Sequence, residues 1–310
     1  MNRLQLFAGV VALALAGCAS APPAQVGERF PDLPRAAEVA GVPFYPQDAY
    51  YCGPAALAMA VSWSGAPLTQ AEAATQVYTP GKRGALQNDM IAAARRNGTL
   101  ALPVGDTRSL LTELAAGHPV IVFQNLGLSW LPDWHYAVAF GYDLRAGTIL
   151  LHSGGTERQV TTLIGFERTW RAAGRWALVL TRPTDLAATA TERAALEAAV
   201  GLELAGRNAA AADAYATILQ HWPESFAAAM GLGNARYATA DYMAAIAAFD
   251  TAGRLQPTDP AVWNNLAYAL AASGRGAEAR AAADRAVQLA PAGAAQPYRE
   301  TVAEIAAMTR

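Results

Sequence analysis

Three prolines, Pro223, Pro257 and Pro291, stand 34 residues apart, and this spacing constrains the fold more than any other feature. A fixed period of this size marks helical units that cannot bury an apolar face alone and must stack on their neighbours. With a proline closing each unit, the units begin at Glu192, Phe226 and Pro260. In the middle one, Leu232-Gly233, Ala245, Phe249 and Ala252 supply small and large residues in alternation; Trp263, Leu266, Ala267, Ala279 and Ala286 do so in the third, and Ala211 and Tyr215 in the first. Two antiparallel helices approach closely only where small residues meet, and the large ones fill the space between units. Gly206 and Gly274 fall at matching turns inside the first and third units, where the second carries Ala240. Residues 294–310, with Pro297 near their start, read as a capping helix.

This pattern resembles three tetratricopeptide repeats plus a cap, an all-α solenoid over 190–310. The resemblance implies a concave surface that takes a protein or peptide partner, with Asn234, Asn264, Asn265 and Tyr268 as candidates to line it.

Composition changes at Arg182-Pro183-Thr184-Asp185, and residues 38–182 read as a separate domain. Its first half is helical: an apolar run to about Trp63, a capping-box pattern from Thr69 to Glu72, then segments over 87–97 and 107–116. Its second half is strand-like, with runs at 119–123, 135–142, 148–151 and 175–180 and a hairpin turn over 143–147. Helices first and antiparallel strands second define an α+β domain.

Between an extended lead-in at 42–46 and the first helix lies Gln47-Asp48-Ala49-Tyr50-Tyr51-Cys52-Gly53-Pro54. Pro54 suits a first helical turn, so Cys52 sits at a helix N-terminus, where unpaired N–H groups and the helix dipole favour a thiolate. Cys52 is the candidate nucleophile, and Gln47 offers an amide donor where an oxyanion would form. His135 opens a strand directly after the loop over 130–134, a rim position from which an imidazole can meet another element. His118 reads as a turn residue and His221 as a helix end.

Residues 47–59 together with His135-Tyr-Ala-Val-Ala-Phe-Gly-Tyr-Asp143, and Gly117-His-Pro-Val-Ile-Val122 between them, resemble the papain-like cysteine peptidases related to the bacteriocin-processing, double-glycine-leader peptidases. The resemblance implies a papain-like fold with Cys52 as nucleophile, His135 as general base and Gln47 as oxyanion donor. The family's third residue, an Asp at the end of the strand after the His hairpin, is missing. That strand ends Leu151-His152-Ser153-Gly154, leaving His152, Ser153 or a backbone carbonyl to orient His135. Asp143 lies eight residues along the strand, roughly 26 Å away, too far to serve.

The N-terminus reads as a lipoprotein signal peptide over 1–17: Arg3, an apolar Leu4–Ala16 too short to span a bilayer, and Leu15-Ala16-Gly17-Cys18, which resembles a bacterial lipobox. Lipidated Cys18 would then anchor the chain to the outer membrane facing the periplasm, with 18–37 as a linker; each buried methylene adds about 0.8 kcal/mol. Cys52 remains as the sole thiol of the mature chain, and a solitary thiol outside the cytosol suits catalysis. With 23 Lys and Arg against 25 Asp and Glu, nothing points to nucleic acid. The four histidines and two cysteines lack metal-ligand spacing, so neither metal nor cofactor is expected. The expected function is a membrane-anchored cysteine peptidase. The alternatives are a papain-like amidase acting on peptidoglycan stem peptides, for which a Cys–His–His set through His152 would suit, and a catalytically inert scaffold.

Overall fold

A computed structural model describes residues 27–47, 50–291 and 293–308. The signal peptide, Cys18 and residues 18–26 lie outside them. The part of the expected linker that is described, 27–37, belongs to the fold. Phe30 is only 5% exposed, and β1 (Ala36–Glu38) pairs antiparallel with the far end of the central strand. A short run whose only large apolar residues are Phe30 and Leu33 carries no periodic signal, so its burial is decided by the sheet edge it meets.

The helical half contributes α1 (Cys52–Trp63), α2 (Gln70–Val77) and α3 (Gln87–Arg96), with a small β2 (Tyr78–Thr79) and β3 (Gly84–Ala85) hairpin between the last two. The Thr69–Glu72 capping box forms: the Thr69 hydroxyl accepts from the Glu72 amide while the Glu72 carboxylate accepts from the Thr69 amide. There follow β4 (Leu100–Val104), α4 (Thr107–Ala115), β5 (Val120–Asn125), β6 (Trp134–Asp143), β7 (Thr148–Ser153), β8 (Thr156–Thr162), α5 (Leu163–Ala172) and β9 (Ala177–Thr181). The sheet runs β4-β9-β5-β6-β7-β8 with every pair antiparallel, and β1 pairs with β6 beyond the end of β5.

Side chains alternate across the sheet, and each face builds its own core. Ile121, Val138, Leu178 and Leu180 meet the wholly buried Ala55–Val61 stretch of α1. Val120, Val122, Ala137, Ala139 and Val179 face α4 and α5. That second core does not stop at the domain boundary. It continues through Leu186 and Ala187 into Ala195, Ala198, Leu202, Ala211 and Tyr215 of the first two repeat helices. The 183–189 connection is therefore packed, and the repeats are mounted on the sheet domain rather than tethered to it.

The repeat helices are α6 (Glu192–Leu204), α7 (Asn208–His221), α8 (Phe226–Ala238), α9 (Tyr242–Leu255), α10 (Pro260–Ala272), α11 (Gly276–Leu289) and α12 (Gln296–Met308). The first helix of each unit starts at Glu192, Phe226 and Pro260, as the period requires. Gly233 lies against the Phe249 ring so closely that an added Cβ would overlap it. The turn between paired helices takes a left-handed residue each time: Gly206 (φ 72), Ala240 (φ 61) and Gly274 (φ 82). The expected groove residues largely satisfy one another. Asn264 donates to Asn265, Asn265 donates to Asn234 at 3.0 Å, and the Tyr268 hydroxyl donates to Glu304 of α12 at 2.5 Å.

Candidate active site

Cys52 is the first residue of α1, as its Gly-Pro sequel implies. Tyr50, in the left-handed region at φ 71, turns the chain into the helix. Gly53 is sterically required, because a Cβ there would come within 2.5 Å of the Ala85 methyl and 3.4 Å of the Tyr136 ring. The helix start is thus pressed between the β2–β3 hairpin and β6, which brings the cysteine sulfur to the amide N–H of Tyr136, the residue after His135. Cys52 and His135 line one open cavity of about 960 Å³, together with Gln47.

His135 Nε2 lies 2.9 Å from Ser153 Oγ. His135 Nδ1 has no hydrogen-bond partner among the described residues. Ser153 is neutral, so it fixes ring angle and tautomer without offsetting an imidazolium charge. His152 does not serve: its Nδ1 meets the Glu157 carbonyl oxygen, its Nε2 lies 3.3 Å from the Val42 carbonyl oxygen, and its ring stacks on Phe140 with centroids 4.2 Å apart. These contacts hold His152 apart from His135 while Ser153 meets it, at a point where the β7–β8 register is irregular. Asp143 sits at the far turn, where it accepts from the Arg145 and Ala146 amides.

Gln47 is pinned by its backbone, whose N–H donates to the Gly154 carbonyl at 3.2 Å. Its side-chain amide is buried, and neither Nε2 nor Oε1 has a hydrogen-bond partner among the described residues. A buried amide left unpaired costs about 1–3 kcal/mol, and here it borders the cavity that holds the sulfur.

Electrostatics at the site is set mainly by burial. Burial pushes the Cys52 thiol above its ordinary range, which outweighs the amides of Tyr136, Gly53 and Cys52 itself; the Asp133 carboxylate raises it further. Burial also pushes the His135 imidazole down, opposed by Asp133. Both directions run against the thiolate that the helix terminus alone would favour. Asp133, on the loop before His135, was not singled out by sequence; a lone carboxylate in a loop carries no pattern, and only its position by the site gives it weight.

His118 is not a simple turn residue. Its Nδ1 lies 2.8 Å from a carboxylate oxygen of Glu113, which is 0% exposed and also accepts from the amides of Ala188 and Thr189 and the Thr189 hydroxyl. His118 Nε2 lies 3.4 Å from Asp185. This cluster straps the connection to the repeats onto α4. Among the described residues no group of three or more His, Cys, Asp or Glu could hold a metal ion, and no helix is long and apolar enough to cross a membrane.

An antiparallel sheet, a cysteine at a packed helix start and a histidine on a strand bordering the same cavity make this an α+β domain. Residues 39–178 match the model of the Peptidase C39 like family, and residues 196–260 and 232–294 match the tetratricopeptide repeat. The chain carries a C39-like peptidase-family domain followed by tetratricopeptide repeats. Among solved structures it is similar to a Bacillus anthracis protein described as a C39-like peptidase, at 16% identity, TM-score 0.41, covering 48% of this chain and 98% of that one. It is also similar to the peptidase domain of Streptococcus ComA, a bifunctional ABC transporter involved in a quorum-sensing pathway, at 19% identity, TM-score 0.38, covering 46% of this chain and 98% of that one. None of the curated proteins matches the chain.

Proposed function

We propose that the chain is a cysteine peptidase, anchored to the bacterial outer membrane through a lipidated Cys18, whose repeats recruit a protein or peptide partner. The observation that carries the peptidase reading is the shared cavity: a thiol at a helix start, a histidine whose Nε2 meets Ser153, and an unpartnered buried glutamine amide all border it. As the Cys52 sulfur attacks a peptide carbonyl carbon, its proton passes to His135 Nδ1. The oxyanion is met by the Gln47 amide and the Cys52 backbone N–H. The C–N bond then breaks, and the amine leaves with the proton from His135. Water, deprotonated by the same imidazole, hydrolyses the thioester and restores the thiol. In this sequence His135 acts as a general base during attack and as a general acid when the amine leaves.

Cleavage of quenched-fluorescent peptides by the full chain, abolished in Cys52→Ala and His135→Ala, tests the reading. A Cys52→Ala protein that cleaves at the wild-type rate sinks it, as does a wild type that cuts no peptide and does not react with iodoacetamide at Cys52. The latter outcome would favour an inert scaffold. The amidase alternative loses support with the engagement of both His152 nitrogens by backbone carbonyls; incubation with muropeptides tests it directly. Anchoring is read from the lipobox-like segment alone. It predicts metabolic incorporation of a fatty acid that Cys18→Ser abolishes, with release of the protein to the soluble fraction.

A further inference from the structure

The two rims of the cavity differ in chemistry. One is the extension of the β5–β6 hairpin. It is a built structure: Asn125 Oδ1 accepts from the amides of Gly127 and Asp133 at 3.0 Å each, Leu126 donates to the Asp133 carbonyl at 2.8 Å, and Leu128 and Leu131 exchange backbone hydrogen bonds across the tip. Yet this ordered hairpin displays Leu126, Leu128, Trp130, Leu131 and Trp134 to solvent, Trp130 at 76% exposure. So many large apolar side chains on one short element mark an interaction surface. The display is continuous with the site, since Trp134 stacks on Phe123 with centroids 5.4 Å apart and Phe123 meets the tilted ring of Tyr136, the residue beside the sulfur, at 4.5 Å.

The other rim is the turn of the β2–β3 hairpin, where Lys82 and Arg83 line the cavity and form no ion pair among the described residues. The Arg83 guanidinium lies over the Tyr50 ring at 5.8 Å. Asp133 stands on the apolar side, so a carboxylate is attracted to one rim and repelled from the other. A peptide crossing such a cleft in extended form sends successive side chains to opposite faces.

Resting on the peptidase reading, we infer that the cleft selects an extended polypeptide segment alternating apolar and acidic residues, the apolar ones against the 126–134 hairpin and the acidic ones against Lys82 and Arg83. Charge complementarity fixes which way the segment faces.

The test is binding to the full chain carrying Cys52→Ala, followed by fluorescence anisotropy, of a labelled peptide alternating leucine and glutamate. Matched peptides replace glutamate by glutamine or lysine, or leucine by serine. The Leu/Glu peptide binds most tightly, with each replacement weakening binding by about tenfold or more. Lys82→Glu with Arg83→Glu inverts the order in favour of the Leu/Lys peptide. Trp130→Ser with Leu131→Ser removes the dependence on leucine and leaves that on charge. All four side chains are exposed, so folding is not at stake. Equal binding of all peptides overturns the inference, as does an order that survives charge reversal. So does a Trp130 fluorescence change with phosphatidylcholine vesicles but not with peptide, which assigns the tip to a membrane. The wild type separates the two readings: peptides bound in this order but never cleaved sink the peptidase and leave the docking, while cleavage without preference does the reverse.

Discussion

Replacement of Glu113 by glutamine changes one oxygen to an amide and keeps the volume, yet it should be among the most damaging substitutions in the sheet domain. The carboxylate is 0% exposed and faces only donors: the Ala188 amide at 3.0 Å, the Thr189 amide at 2.7 Å, the Thr189 hydroxyl at 2.5 Å and His118 Nδ1 at 2.8 Å. Whichever way glutamine is turned, its NH2 group meets N–H donors, and the imidazolium loses its counter-charge. Removing one partner of a buried pair costs about 3–5 kcal/mol, and at about 2–4 °C per kcal/mol for a domain of this size the melting temperature should fall by roughly 6–20 °C.

The pH dependence follows from the same pair, counted once. Burial lowers the His118 pKa most strongly of any single cause, but the Glu113 carboxylate, with Asp185 adding to it, holds it above its ordinary 6.5. The stability from His118 is complete below about 6.5 and is lost as pH rises through the raised native value. Although burial opposes it, the Glu113 pKa is held below 4.5 by its donors, so its contribution is present above that value and is lost as pH falls through the lowered native one. Urea midpoints of wild type and Glu113→Gln should therefore differ most between about pH 4.5 and 6.5. A difference below about 1 kcal/mol throughout that window would refute the reasoning, since it would mean that the carboxylate is neither charged nor needed by its donors.

Other outcomes are equally checkable. Alkylation of Cys52 by iodoacetamide should accelerate as pH rises through a thiol titration above the ordinary range, and Asp133→Asn should move that profile to lower pH, since the carboxylate raises the thiol; a profile already flat from pH 6 would show a preformed ion pair. Ser153→Ala should lower kcat by roughly tenfold, the loss of one orienting hydrogen bond of about 1.4 kcal/mol, with His152→Ala leaving the pH profile of kcat unmoved. Ala240→Gly should raise the melting temperature of the full chain, because Ala240 holds φ 61 where an L side chain costs about 1–2 kcal/mol and glycine returns only part of that as entropy.

Much of this was legible because it is periodic or local. The 34-residue period set each repeat start at the observed residue, and Gly-Pro after Cys52 announced the helix that begins there. What escaped depends on strand pairing. β1 and β4 are short and their partners are distant in sequence, while β8 pairs with its neighbour β7 but is too polar to show an apolar alternation. The choice between His152 and Ser153 falls at an irregularity of the strand register between Leu151 and Ser153, which no sequence period announces. The role of His118 was hidden for another reason: Glu113 lies beside Leu110 and Leu114 on the buried stripe of α4. A carboxylate on an apolar stripe signals a buried partner, but it does not name which donor from another segment will supply it.

The core that runs unbroken from β5 and β9 into the first repeat leaves no hinge between cleft and solenoid. On the proposed reading, a molecule gripped by the helical array would be presented to Cys52 across a distance that the packing itself sets, and scission would fall at a fixed number of residues from whatever motif the array holds, as along a ruler.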